Sequence, residues 1–176
     1  MKNIEQKTKD LSQNLQDWLQ KHFGSKDITQ YKNVALSLIF YKFLSDQFEQ
    51  FANKNLAGEA EYCELDECEH AEYITALKEE GQISLGYFIQ PKYLISSLAK
   101  AYANNDEYYF LEDFDQAILQ FQQSLTEQSI QVFDGLLSDI DTASSLLGSS
   151  GKARNQVLGS MLVDLNLMNF YLQDHS

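Results

Sequence analysis

Apolar residues recur along the chain with a helical beat, in blocks separated by polar or small residues. Ile4, Leu11, Leu15 and Trp18 stand seven, four and three residues apart. That is the spacing of one face of an amphipathic helix, so residues 3–23 predict a first helix. Gly24 and Ser25 interrupt it, and Ser25 or Asp27 can cap a second helix over roughly 28–54. Its middle is far more apolar: eight of the eleven residues from Asn33 through Phe43 are hydrophobic. Leu36, Leu38, Ile39, Phe40, Tyr41, Phe43 and Leu44 fall nearly all round the helix. A helix without a polar face is covered on several sides, which predicts the central helix of a bundle.

The blocks that follow are shorter. Residues 57–82 form an acidic region with a short helix over about 69–80, ended by Gly81. In GYFIQPKYLISSLAKAY, Pro91 suits a first helical position. Leu94, Leu98 and Tyr102 then repeat every four residues along the same helix. Phe114, Ile118 and Phe121 predict a helix over about 112–126. IQVFDGLLSDID is less regular, and the small-residue run ASSLLGSSG reads as a loop. Val157, Leu158, Met161, Leu162 and Leu165 share one face of a closing helix over 152–168. At most one or two short strands are expected, near Ile83–Ile89. The chain therefore predicts one domain over 1–176, an all-α compact bundle of about six to eight helices with an acidic loop and short-helix insertion.

Charge sharpens the picture. The chain of 176 residues carries a net charge of −13, with Arg154 its only arginine. Residues 1–60 are close to neutral at +1, residues 61–130 carry −11, and residues 131–176 carry −3. Such a chain repels phosphate backbones on average, so nucleic-acid contact must be local or supplied by a partner. A hydrophobic content of 44% is enough for a real core. No signal-peptide pattern is present, and Lys42 and Asp46 interrupt the apolar run too soon for a membrane span. Together with only two cysteines, this points to a cytoplasmic protein with reduced thiols.

Candidate chemistry is sparse. Cys63, Cys68 and His70 could offer ligands to a metal, but a structural zinc needs four and no second pair follows; a solvated acidic loop is the plainer reading. His22, His70 and His175 are far apart, and no G-x-S-x-G motif accompanies them. Glu79-Glu80 and Glu112-Asp113 look like exposed helix faces rather than acid–base pairs. There is no G-x-G-x-x-G and no G-x-x-x-x-G-K-[ST]. The residues alone describe a helical interaction module.

Three ordered segments carry a resemblance. The first is Tyr31-Lys32-Asn33-Val34, Leu38-Ile39-Phe40, Lys42-Phe43-Leu44-Ser45-Asp46 and Phe48-Glu49, preceded by Trp18. The second is GYFIQPKYLISSL, residues 86–98. The third runs from Phe133, Gly135, Leu136, Asp139, Ile140 and Asp141 to Lys152, Arg154 and Asn155. Together they resemble the N-terminal helical domain of the modification (M) subunit of type I restriction–modification systems, which are N6-adenine DNA methyltransferases. In that family a second domain binds S-adenosylmethionine and carries an Asn-Pro-Pro-aromatic motif. Here the only proline, Pro91, follows Gln90, so neither a catalytic residue nor a cofactor or metal site is expected in this chain.

The resemblance implies a role and partners. Two M subunits and one specificity (S) subunit enclose double-stranded DNA, a restriction (R) subunit joins them, and the N-terminal domains help close the clamp. The base to be methylated must leave the duplex. On that reading Lys26, Lys32, Lys42, Lys54, Lys152 and Arg154 are candidate DNA contacts. Tyr31, Phe48 and Phe51 are candidate partner contacts, and an isolated domain with that surface bare is expected to self-associate. The acidic middle segment supports an alternative, a free-standing helical adaptor or DNA mimic that binds restriction proteins. No residue constellation supports a small helical enzyme.

Overall fold

The computed structural model describes residues 2–105 and 110–170. Seven α-helices run through the described residues: α1 (Lys2–Phe23), α2 (Ile28–Leu56), α3 (Ala71–Ser84), α4 (Ile95–Asn104), α5 (Leu111–Ser124), α6 (Glu127–Phe133) and α7 (Gly151–Asn166). Two 3₁₀ turns, Tyr62–Glu64 and Pro91–Tyr93, punctuate them, and no strand forms among the described residues. The all-α bundle is therefore as the sequence predicts, with no strand near Ile83–Ile89.

The helix starts follow from their caps. The Asp27 carboxylate accepts from Thr29 N–H and opens α2, and the Ser150 hydroxyl accepts from Ala153 N–H and opens α7. Thr126 and Ser129 form a reciprocal capping box that starts α6. Its last four residues, 130–133, fall in the stretch expected to be irregular. Pro91 opens a 3₁₀ turn instead of α4, which begins four residues later at Ile95. Helix α3 runs past Gly81 instead of ending there.

Helix α2 touches α1, α3, α4, α7 and the first 3₁₀ turn. Its inward stripe of Val34, Leu38, Tyr41, Leu44 and Phe48 is buried. Phe48 meets the rings of Phe51, Tyr62, Tyr87 and Phe88 at centroid distances of 5.5–5.9 Å. Helix α1 joins the core from Leu11 onward: Trp18 is buried and donates to the Met161 carbonyl of α7 at 3.1 Å, whereas Ile4 stays 43% exposed. Helices α4 and α7 approach so closely that a Cβ on Gly159 would clash with the Tyr102 ring.

Between α3 and α4 the segment 86–94, irregular except for the 3₁₀ turn Pro91–Tyr93, passes through the core, with Tyr87, Ile89 and Leu94 fully buried. Buried backbone must find partners, and here side chains provide them. Ser124 accepts from Phe88 N–H. The Gln120 amide accepts from Gln90 N–H and donates to the Phe88 carbonyl. The Tyr62 hydroxyl donates to the Ile89 carbonyl and the Tyr41 hydroxyl to the Tyr93 carbonyl. Ser45 accepts from Ile95 N–H at the start of α4. The aromatic–proline stretch is thus a buried loop held by hydrogen bonds from neighbouring helices.

Candidate nucleic-acid and partner interface

The six basic candidates separate into different environments. Lys32, Lys54 and Lys152 are exposed, and Lys26 and Arg154 are half-buried. Lys42 is buried, at 3% exposure, and pairs with both carboxylate oxygens of Asp46 at 2.7 and 2.9 Å. The Phe170 ring lies 5.6 Å from its ammonium. This corrects the expectation that Lys42 faces DNA: one turn of helix sets Asp46 beneath it, and in this fold the ammonium is enclosed rather than offered to a phosphate.

Two of the basic spots converge on one loop. Lys26 sits over the Tyr31 ring at 4.8 Å, and the Tyr31 hydroxyl donates to the Leu146 carbonyl at 2.8 Å. Arg154 Nη1 donates to the Gly148 carbonyl of the same loop at 3.4 Å. The loop between α6 and α7 therefore ties Lys26 at the start of α2 to Arg154 at the start of α7, with Lys152 exposed beside it. Lys54 lies apart, twenty-two residues along α2 from Lys32, a helical rise of about 33 Å.

The three candidate partner residues pack inward. Tyr31 is 8% and Phe48 0% exposed, and Phe51 is half-buried against Phe48. The apolar surface lies elsewhere on α2. Leu36, Phe40 and Phe43 are 41%, 39% and 49% exposed. Helix α2 is covered on several sides, as expected, but the described residues leave this one stripe exposed. The inward stripe and a second stripe at 36, 40 and 43 are distinct faces, and the described residues cover only the first. The spacing of four and three was the signal for the second stripe in the sequence.

On its flanks α2 carries two carboxylates, both engaged. Asp46 pairs with Lys42, and burial still holds its carboxyl above the usual range. Burial also raises Glu49, against hydrogen bonds from the Ser96 hydroxyl and the Cys63 thiol. Cys63 is pushed up in turn, first by burial and then by the Glu49 charge. The acidic segment is anchored as well as solvated: Tyr62 and Leu65 are buried, while Glu61, Glu64, Glu67 and Glu69 face solvent.

Near the other end, Asp164 of α7 accepts from Lys21 and from His22 Nε2, each at 2.7 Å, tying α1 to α7. His70 Nδ1 accepts from Asp66 N–H, and His175 lies outside the described residues. Among the described residues no three His, Cys, Asp or Glu side chains are grouped to hold a metal. No described helix is long and apolar enough to cross a membrane.

Comparison with known proteins identifies the arrangement. A family model described as the HsdM N-terminal domain matches residues 6–165. The methylase subunit of the type I restriction enzyme MpnII from Mycoplasma pneumoniae is 26% identical over 150 residues, covering 82% of this chain and 28% of that protein. The crystal structure of the type I restriction–modification methyltransferase subunit from Streptococcus thermophilus superposes with a TM-score of 0.72 at 24% identity, covering 92% of this chain and 34% of that one. That likeness shows the shared fold. The chain spans about a third of the length of these relatives. It belongs to the HsdM N-terminal domain family.

Proposed function

We infer that this chain serves as the N-terminal domain, residues 1–176, of the modification subunit of a type I restriction–modification DNA adenine methyltransferase. In the assembled enzyme it helps close protein around DNA and docks neighbouring subunits. The observation that carries this reading is the family match over residues 6–165. The fold supports it by drawing Lys26, Lys152 and Arg154 toward one loop in a chain of net charge −13. A local cluster of this kind is what DNA contact requires when the net charge opposes it.

The chemistry lies outside this chain. Methyl transfer would use S-adenosylmethionine bound by the rest of the subunit, and the extruded adenine would be held there. This domain contributes positioning: it keeps the duplex in place while a base leaves the stack, and it joins the M subunit to the S subunit, to a second M subunit and to the R subunit.

The test compares the full-length subunit with one lacking residues 1–176, each with the S subunit, for methyl transfer to adenine in duplex DNA. The reading predicts loss of transfer on deletion. Normal assembly and transfer without the domain would overturn it. Competition between the isolated chain and DNA for the enzyme would favour the DNA-mimic alternative.

A further inference from the structure

Helix α2 presents an unusual surface for so acidic a chain. Its exposed side chains include Lys32 and Lys54 but no carboxylate, because both of its acids are half-buried and engaged with partners inside the domain. Between the lysines lies the apolar stripe of Leu36, Phe40 and Phe43. The face thus has a positive charge at each end, about 33 Å apart, with the apolar stripe beginning one turn after Lys32 and the half-buried Gln47 and Gln50 between Phe43 and Lys54.

We propose that this face is a docking surface for an amphipathic helix of a partner polypeptide, with apolar side chains between carboxylates at its two ends. The proposal rests on the docking half of the functional reading and names the surface and the chemistry of its occupant. The residues at 36, 40 and 43 form a ridge of the kind that packs against another helix, and such ridges are the anchors of helix recognition. The two lysines fix register and exclude partners with basic ends. DNA fits the face poorly. Its affinity scales with the cations that neutralise phosphates, and here two widely spaced lysines bracket three large apolar groups. A second copy of the same face fits poorly too, because it offers no exposed carboxylate to meet either lysine.

The experiment places the photo-cross-linker p-benzoylphenylalanine at position 40 of the full-length subunit. It is photolysed in the assembled enzyme with duplex DNA, and the cross-linked peptide is identified by mass spectrometry. The expected product joins position 40 to a helix of a partner polypeptide with acidic residues at both ends. The pair Lys32→Glu and Lys54→Glu then weakens that association by about tenfold or more, and lysines in place of the partner's acids restore it. A cross-link to DNA, to a second copy of α2 or within the same polypeptide overturns the proposal, as does no cross-link or no effect of the charge pair. An unchanged thermal midpoint of the variants shows that the domain remains folded. Failure of the domain reading shows separately, as normal methyl transfer by the subunit lacking residues 1–176.

Discussion

Gln120 of α5 holds Phe88 in place: its side-chain amide donates to the Phe88 carbonyl at 2.9 Å and accepts from Gln90 N–H at 3.1 Å. One side chain thereby mimics a strand neighbour for a buried loop. Gln120→Leu keeps the bulk and leaves a carbonyl and an N–H without partners. It should cost about 2 kcal/mol. Exposed Gln122→Leu should stay within about 0.5 kcal/mol of wild type. Urea unfolding of the two variants measures both.

Gly81 lies beneath the Phe48 ring. A Cβ on Gly81 would stand 2.5 Å from Phe48 Cε2 and 3.2 Å from the Tyr87 carbonyl oxygen. Alanine improves helix propensity by up to about 1 kcal/mol, but overpacking typically costs about 1–3 kcal/mol. Gly81→Ala should therefore be net destabilising. Phe48→Leu in the same chain should recover part of the loss, so a double-mutant cycle should show favourable coupling. Additive effects would contradict this contact.

Glu49 makes stability depend on pH with a definite sign. Burial raises its folded-state value above the ordinary 4.5. The folded state therefore holds the proton more tightly than the unfolded one. The resulting stability is fully present below 4.5 and is lost as pH rises through the raised folded value. Glu49→Gln stays neutral throughout. Its melting temperature relative to wild type should rise between about pH 4 and about pH 7. A fall over the same interval would contradict the assignment.

The two thiols should react at different rates. Cys68 is exposed, whereas Cys63 is half-buried and its thiol is pushed up by burial and by Glu49. The thiolate is the nucleophile. Maleimide should label Cys68 at least about tenfold faster than Cys63 at neutral pH, and Cys68→Ser should remove the fast phase. Peptide mapping at timed intervals reads this directly.

Much of the fold was legible because period and caps agree. The spacing at Phe114, Ile118 and Phe121 marks α5, and the stripe at Leu158, Met161, Leu162 and Leu165 marks α7. Gly81 misleads because glycine reads as a helix stop, while here it serves a close approach to Phe48. Helix α6 has only seven residues, too short for a periodic signal, and only the Thr126–Ser129 box announces it. The candidate site was less legible. A lysine on an apolar helix reads as its solvent face, yet Lys42 turns inward because Asp46 follows one turn later. Which of two apolar stripes on α2 is covered depends on where α3, α4 and α7 pack, and period alone does not encode that. The loop joining Lys26 to Arg154 brings together residues more than a hundred positions apart in the chain.

The most direct measurement is DNA affinity of the assembled methylase, with and without residues 1–176, between about 50 and 200 mM salt. If the domain helps hold DNA, deletion weakens binding, and the slope of log affinity against log salt becomes shallower by about 0.9 for each phosphate that the domain neutralises. An assembled, truncated enzyme with the same affinity and the same slope would contradict a DNA-holding role and leave this domain with docking alone.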